Sequence, residues 1–393
     1  MSAFYPSGRF YSLSFHRWHY GSGFLNLVSI RGKIPAMNLF SPLTIREISF
    51  RNRIAVSPMC QYSCVDGFAT DWHLVHLGAR AVGGAALVFA EATAVADDGR
   101  ISPMDLGIWK DAHIEPLARA AQFVKSQGAV PGIQLAHAGR KASTNAPWLG
   151  GKPLSVNEGG WTPIFSASAL AFHDGYQIPA ALNTAQINGI VAAFADAARR
   201  AHEAGFEVVE LHGAHGYLAN QFLSPLSNHR TDEYGGSFEN RTRFLRQIIE
   251  AVRKVLPERL PLFLRISATD WVEGGWTGED SIALAKIVKP LGVDLMDCSS
   301  GGTSPHAKIP LGAGYQVPFA NSIRRHANIS TGAVGMITEP MQADQIIRNE
   351  QADMVIMARE FLRDPYWPLH AAAALHQEIA WPLQYERAKL PRK

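Results

Sequence analysis

The sequence predicts an α/β protein, a single (β/α)8 TIM barrel, from three observations. From residue 51 onward, eight short β-branched or apolar runs alternate with longer segments of helical period. No G-x-G-x-x-G turn follows Val56, although an open doubly wound sheet usually carries one after its first strand. The residues that close several runs are chemically reactive types, and a βα barrel collects such groups at the carboxyl ends of its strands.

In chain order the strand candidates are 53–58, 85–90, 130–135, 207–211, 262–267, 295–298, 329–331 and 354–358. Helical period fills 114–127, 186–204, 243–255, 281–289, 340–349 and 365–374. Cys60, Gln61 and Tyr62 follow the first strand; Gln134 and His137 close the third; His212, His215 and Tyr217 follow the fourth; Arg265 lies on the fifth. Residues 138–184 form a long insertion after the third strand, rich in Gly, Pro, Ser and Trp and without a sustained period. Loops of that length are usually functional, so Trp148 and Trp161 are expected to pack over the barrel mouth or into a hairpin.

The 393 residues, 47% hydrophobic and 18% charged, exclude disorder, collagen and coiled coil. A formal charge of +3 from 37 basic and 34 acidic residues is too slight for a nucleic-acid or membrane footprint, so the expected partner is a small molecule. No apolar run approaches the roughly 20 residues of a membrane helix. Three cysteines, Cys60, Cys64 and Cys298, make no disulfide framework, and cytoplasm is the expected compartment. Residues 1–37 are read as an N-terminal extension to a barrel over 38–393. The first 46 residues lack Asp and Glu but carry Arg9, Arg17, Arg31, Lys33 and Arg46. That composition suits a transit peptide, a tail, or an upstream extension of a frame starting at Met37. The lack of an amphipathic period through 10–30 favours the last two, with organellar import left open.

The most informative segment is His212-Gly213-Ala214-His215-Gly216-Tyr217, directly after a strand candidate. Two imidazoles on such a turn can polarise one oxygen, and a nearby phenol can deliver a proton. A metal site or a hydrogen-bonded loop pair are the competing readings, but H-E-x-x-H is absent and no metal is expected. Cys60 and Cys64 lack the second pair that a structural zinc needs. Cys60 is placed where a thiol meets a cofactor, Cys298 is read as packing, and Cys64 as a surface residue. Gly335 and Arg359, after the seventh and eighth strands, suit a phosphate.

These residues also carry a family resemblance. Ser57-Pro58-Met59-Cys60-Gln61-Tyr62, Gln134-Leu135-Ala136-His137-Ala138-Gly139-Arg140-Lys141, the HxxH segment, and Ser224-Pro225-Leu226-Ser227-Asn228-His229-Arg230 with its continuation to Gly236 resemble the Old Yellow Enzyme family of FMN-dependent ene-reductases. The likeness spans about 39–387, and Cys60, the second His of HxxH and the terminal Gln384-Tyr385-Glu386-Arg387 resemble the thermophilic-like, xenobiotic reductase subgroup.

The resemblance implies that Ser57, Pro58, Met59 and Cys60 line the flavin, with the thiol tuning its potential, and that Ala92 touches the ring. Gln134 and Arg265 would bond its polar edge, and Gly335, Ala358 and Arg359 would hold the FMN phosphate. His212 and His215 would grip the substrate oxygen, Tyr217 would donate the proton, and Tyr62 would wall the pocket. Arg387 would reach a neighbouring subunit's site in a homodimer or homotetramer. The implied cycle is ping-pong: NADPH or NADH reduces the flavin and leaves, and an enone, nitro compound or quinone takes its place. Departures from the family are Ala358, where Gly is frequent, the long 138–184 loop, and the leader. A metal-dependent TIM-barrel hydrolase built on His137, His212 and His215 is the alternative, but it leaves Gln134, Arg265 and the phosphate pair without a role. Three scattered cysteines also argue against a relative with an added iron–sulfur cluster.

Overall fold

The computed structural model describes residues 37–389, so the expected extension lies outside the described residues apart from Met37. A short antiparallel hairpin comes first, β1 (Leu43–Ile45) with β2 (Ile48–Phe50). Its Phe50 ring lies 6.5 Å from Phe263, which lies 6.1 Å from Phe89, so aromatic packing joins the hairpin to the strands that follow. Arg46 clamps the hairpin turn to Asp294 at 2.8 Å.

Those strands are β3 (Ile54–Val56), β4 (Leu87–Ala94) and β5 (Val130–Ala136). Two residues each of β6 (Phe165–Ser166) and β7 (Ala180–Ala181) pair outside the barrel. The barrel resumes with β8 (Val208–Gly213), β9 (Leu262–Ser267), β10 (Leu295–Ser299), β11 (Ser330–Ala333) and β12 (Met354–Met357). β12 pairs back onto β3, which closes eight parallel strands into a ring. Nearly every residue of these strands is buried on both faces, which is why they read as unbroken apolar runs rather than alternating ones. All eight predicted strands are present.

Two long helices escaped the sequence reading, Asp71–Val82 and Val317–Ala327, as did the short helices Leu218–Leu223 and Arg359–Arg363. The first turns His73, His76 and Arg80 inward, so polar residues occupy its core-facing positions and hide the period. β4 carries a bulge between Ala90 and Ala92 that leaves Glu91 without a register partner on β5.

The 138–184 insertion packs at the mouth; β6 and β7 run parallel, while an antiparallel bridge between Thr144 and Pro153 closes a hairpin-like loop that carries Trp148. Trp161 joins Ala138, Ala142, Ile164 and Tyr217 in a small apolar cluster and donates its indole N–H to the Asp98 carbonyl at 3.1 Å. Trp148 meets Tyr62 edge-on at 5.5 Å and is otherwise exposed. Among the described residues no helix is long and apolar enough to cross a membrane.

Candidate active site

The turn after β8 places His212, His215 and Tyr217 together: the His212 ring lies 5.1 Å from His215 and 4.8 Å from Tyr217, both edge to face. The Ala214 N–H donates to His212 Nδ1 at 3.2 Å, so the neutral ring carries its proton on Nε2, which no described group claims. His215 sits at φ +59 and donates its backbone N–H to Ser267 Oγ. Its Nε2 is 2.7 Å from Ser299 Oγ, so the two imidazoles are neighbours but not yet aimed at one point. Gly302, at φ +94, passes so close that a Cβ there would stand 2.6 Å from the His215 Cα. Burial, with Arg265 next, holds both imidazoles well below their ordinary range, so both are neutral donors. Burial pushes the Tyr217 phenol well above 10, so it keeps its proton. Lys141 donates to the His215 carbonyl at 2.8 Å, and burial pulls it down to about 7.

A second group lines the barrel axis beneath this turn. Arg265 on β9 donates to Ser57 Oγ at 2.7 Å and lies 3.5 Å from Asp297 on β10. Gln134 on β5 donates to Glu210 on β8 at 2.7 Å. Arg265 Nε is buried without a partner. Near the ends of β11 and β12, Gly335 sits at φ +118, a conformation L side chains rarely adopt, and a Cβ there would crowd the Gln316 amide nitrogen at 2.9 Å. Arg359 is exposed and makes no hydrogen bond or ion pair among the described residues, and Ala358 precedes it. An orphaned guanidinium N–H, a carboxamide, a glycine cradle and a free cation fit the polar edge and phosphate of FMN.

Pro58, Met59 and Cys60 follow β3, half-buried, and Ala92 lies buried on β4. Burial raises the Cys60 thiol well above its ordinary range, with the charges of Asp105 and Glu91 adding to the effect, so it stays protonated. Tyr62 is likewise raised, at φ +48. Arg387 does not join the group: it lies exposed on the terminal 3-10 turn Leu383–Ala388.

Cys64 is not a surface residue. It is buried, 3.4 Å from His73 Nε2, which lies 3.7 Å from Glu91. These three have a spacing that suits a metal. However, the Thr70 N–H donates to His73 Nδ1 at 3.0 Å, which leaves the Nε2 proton in place and turned to Cys64 and Glu91, not a lone pair. Glu91 instead accepts the Gln61 N–H at 2.9 Å and anchors the segment beside Cys60, which accounts for the bulge.

Sequence reasoning also missed Asp105, which accepts from the Ile101 N–H at 2.6 Å and the Ser102 hydroxyl at 3.1 Å, and which burial lifts from 3.8 to about 7. The unfolded chain ionises this carboxyl near 3.8, whereas the folded chain keeps the proton to about 7. Its contribution to stability is therefore full below about 4, falls as pH rises, and is lost above about 7. Asp105→Asn, which cannot ionise, should be flatter across that window and should gain relative to the wild type by up to on the order of 4 kcal/mol. Denaturant titrations at pH 4, 6 and 8 check this; parallel profiles for the two proteins would refute it.

Residues 38–378 match the NADH:flavin oxidoreductase / NADH oxidase family. The chain is 52% identical over 351 residues to an NADPH dehydrogenase of Geobacillus sp. (strain WCH70), covering 89% of this chain and 98% of the relative. It is 50% identical over 352 residues to an NADPH dehydrogenase of Bacillus cytotoxicus, covering 89% and 96%. Among solved structures it is similar to morphinone reductase, at a TM-score of 0.73 and 26% identity over 89% of this chain and 92% of that one.

Proposed function

Because the chain belongs to the NADH:flavin oxidoreductase / NADH oxidase family, as an FMN-dependent NAD(P)H oxidoreductase of the Old Yellow Enzyme type, we propose that it reduces the activated C=C bonds of enones and nitroalkenes. Quinones belong to the same acceptor class. The observation that carries this reading is the unclaimed His212 Nε2–H beside the Tyr217 phenol, above the Arg265 and Gln134 donors. The hydrolase alternative has no support in the family match, and His137 Nε2 faces Asp98 at 3.7 Å.

Ser57, Pro58, Met59, Cys60 and Ala92 line the flavin, Gln134 and Arg265 hold its polar edge, and Gly335, Ala358 and Arg359 hold its phosphate. Bound FMN supplies the two-electron relay between nicotinamide and acceptor. The protein does the rest. His212 and His215 hydrogen-bond the acceptor's carbonyl or nitro oxygen, and His215 does so once its ring leaves Ser299. Being neutral, they donate without competing for the proton, and their bonds strengthen as enolate charge develops. Tyr217 gives its proton to the α-carbon, while Tyr62 and Trp148 wall the site from water.

The enzyme acts in the cytoplasm through the barrel of residues 38–393. Arg387, exposed and without a side-chain partner among the described residues, reaches a neighbour's site in a homodimer or homotetramer. The test is the anaerobic visible spectrum before NADPH, after NADPH, and after 2-cyclohexenone. A yellow protein that bleaches and recovers supports both half-reactions, and bleaching without recovery overturns the acceptor class. NADPH and NADH are compared in the same cuvette.

A further inference from the structure

Two carboxyl groups lie on the barrel axis with no solvent to ionise into. Glu210 on β8 and Asp297 on β10 are both fully buried, on the two strands that flank β9 and its Arg265, and close enough for the charge of Asp297 to raise Glu210. Glu210 Oε1 takes the Gln134 amide, but Glu210 Oε2 and both Asp297 oxygens have no hydrogen-bond donor. Three buried acceptors without donors would cost several kcal/mol by the usual penalty for each. Arg265, at 3.5 Å from Asp297, balances one negative charge but not two.

A single proton between the carboxyls removes the difficulty, as it gives one O–H···O bond and leaves one net charge for Arg265. Burial raises both groups, Glu210 further because the Asp297 charge adds to it, while Arg265 holds Asp297 down. The other group that meets the pair is Gln134; the Cys298 thiol, on the opposite face of β10, is raised by burial and stays neutral.

We propose that Glu210 and Asp297 share one proton, and that this keeps the Arg265 charge directed at the polar edge of the flavin rather than spent on a second carboxylate. The pair are positioning residues, since they act on the cofactor through Arg265. The second half rests on the proposed placement of Arg265 against the flavin.

Glu210→Gln reproduces the shared-proton state, because its carbonyl still accepts from Gln134 and its N–H faces Asp297. Two measurements follow. In the apoprotein at pH 7, infrared difference spectra of wild type against Glu210→Gln should show the loss of one protonated carboxyl band, whichever residue carries the proton. In the holoprotein, the ratio of reduced to oxidised FMN affinity, read from the midpoint potential, should stay within twofold in Glu210→Gln. In the Glu210→Gln/Asp297→Asn double variant, which leaves Arg265 uncompensated, it should rise at least tenfold, about 30 mV for a two-electron couple. No lost band, or a tenfold rise already in Glu210→Gln, would overturn the shared proton. A lost band with a potential that the double variant leaves unmoved would overturn the link to the cofactor, and with it the placement of Arg265.

Discussion

Replacing His212 and His215 together by alanine is expected to slow flavin reoxidation by 2-cyclohexenone between about 10²- and 10⁴-fold, with FMN still bound. The reason lies in where the donors point. His212 presents an Nε2–H fixed by the Ala214 N–H behind it, so it donates with no tautomer change. His215 is held by the Ser267 contact to its backbone and by Ser299 at its ring. Each removed donor costs roughly 10²-fold or more when charge develops on an oxyanion, and the two share one oxygen, so their losses need not add. Arg265 donates to Ser57 and Gln134 donates to Glu210, and neither donates to either imidazole. Stopped-flow reoxidation together with flavin content measures both quantities. A variant that loses FMN as readily as rate would show that the histidines hold the cofactor and not the acceptor.

The barrel was legible because parallel strands buried on both faces leave continuous apolar runs, and because a barrel puts reactive residues at one end of each. The site motifs were legible for the same reason: His212, His215 and Tyr217 are contiguous in sequence. What escaped was what comes from other strands or faces inward. Ser299 and Ser267, which hold His215, are ordinary serines at the ends of β10 and β9. Glu210 and Asp297 did leave a signal: each is a lone acid inside an apolar run, and an acid in a fully buried strand needs a partner. Cys64 was misread because its neighbours Val65 and Asp66 are exposed while the thiol turns in toward His73. The helix Val317–Ala327 buries Val317, Ala320, Ile323 and Ala327, a regular spacing carried by small side chains that gave a weak pattern.

Tyr217→Phe should lower enone reduction by about 10²- to 10⁴-fold, the usual contribution of a positioned general acid. The substitution removes only the hydroxyl. The ring keeps its edge contact with His212 at 4.8 Å and its place beside Trp161 and Ile164, so the turn after β8 stays in position. The proton is available throughout the working range, because burial holds the phenol well above 10, with the Cys60 thiol and the Tyr62 hydroxyl adding to the effect. Enone reduction by the wild type should therefore show no alkaline loss from Tyr217 below pH 10. A quinone needs no proton on carbon, since its oxygens can be protonated by solvent, and its reduction should be nearly untouched in Tyr217→Phe. The informative quantity is thus the ratio of enone to quinone turnover in the variant. If both acceptors fall together, Tyr217 shapes the pocket and another group donates the proton. If neither falls, solvent supplies it, and the phenol is part of the wall against which the substrate lies.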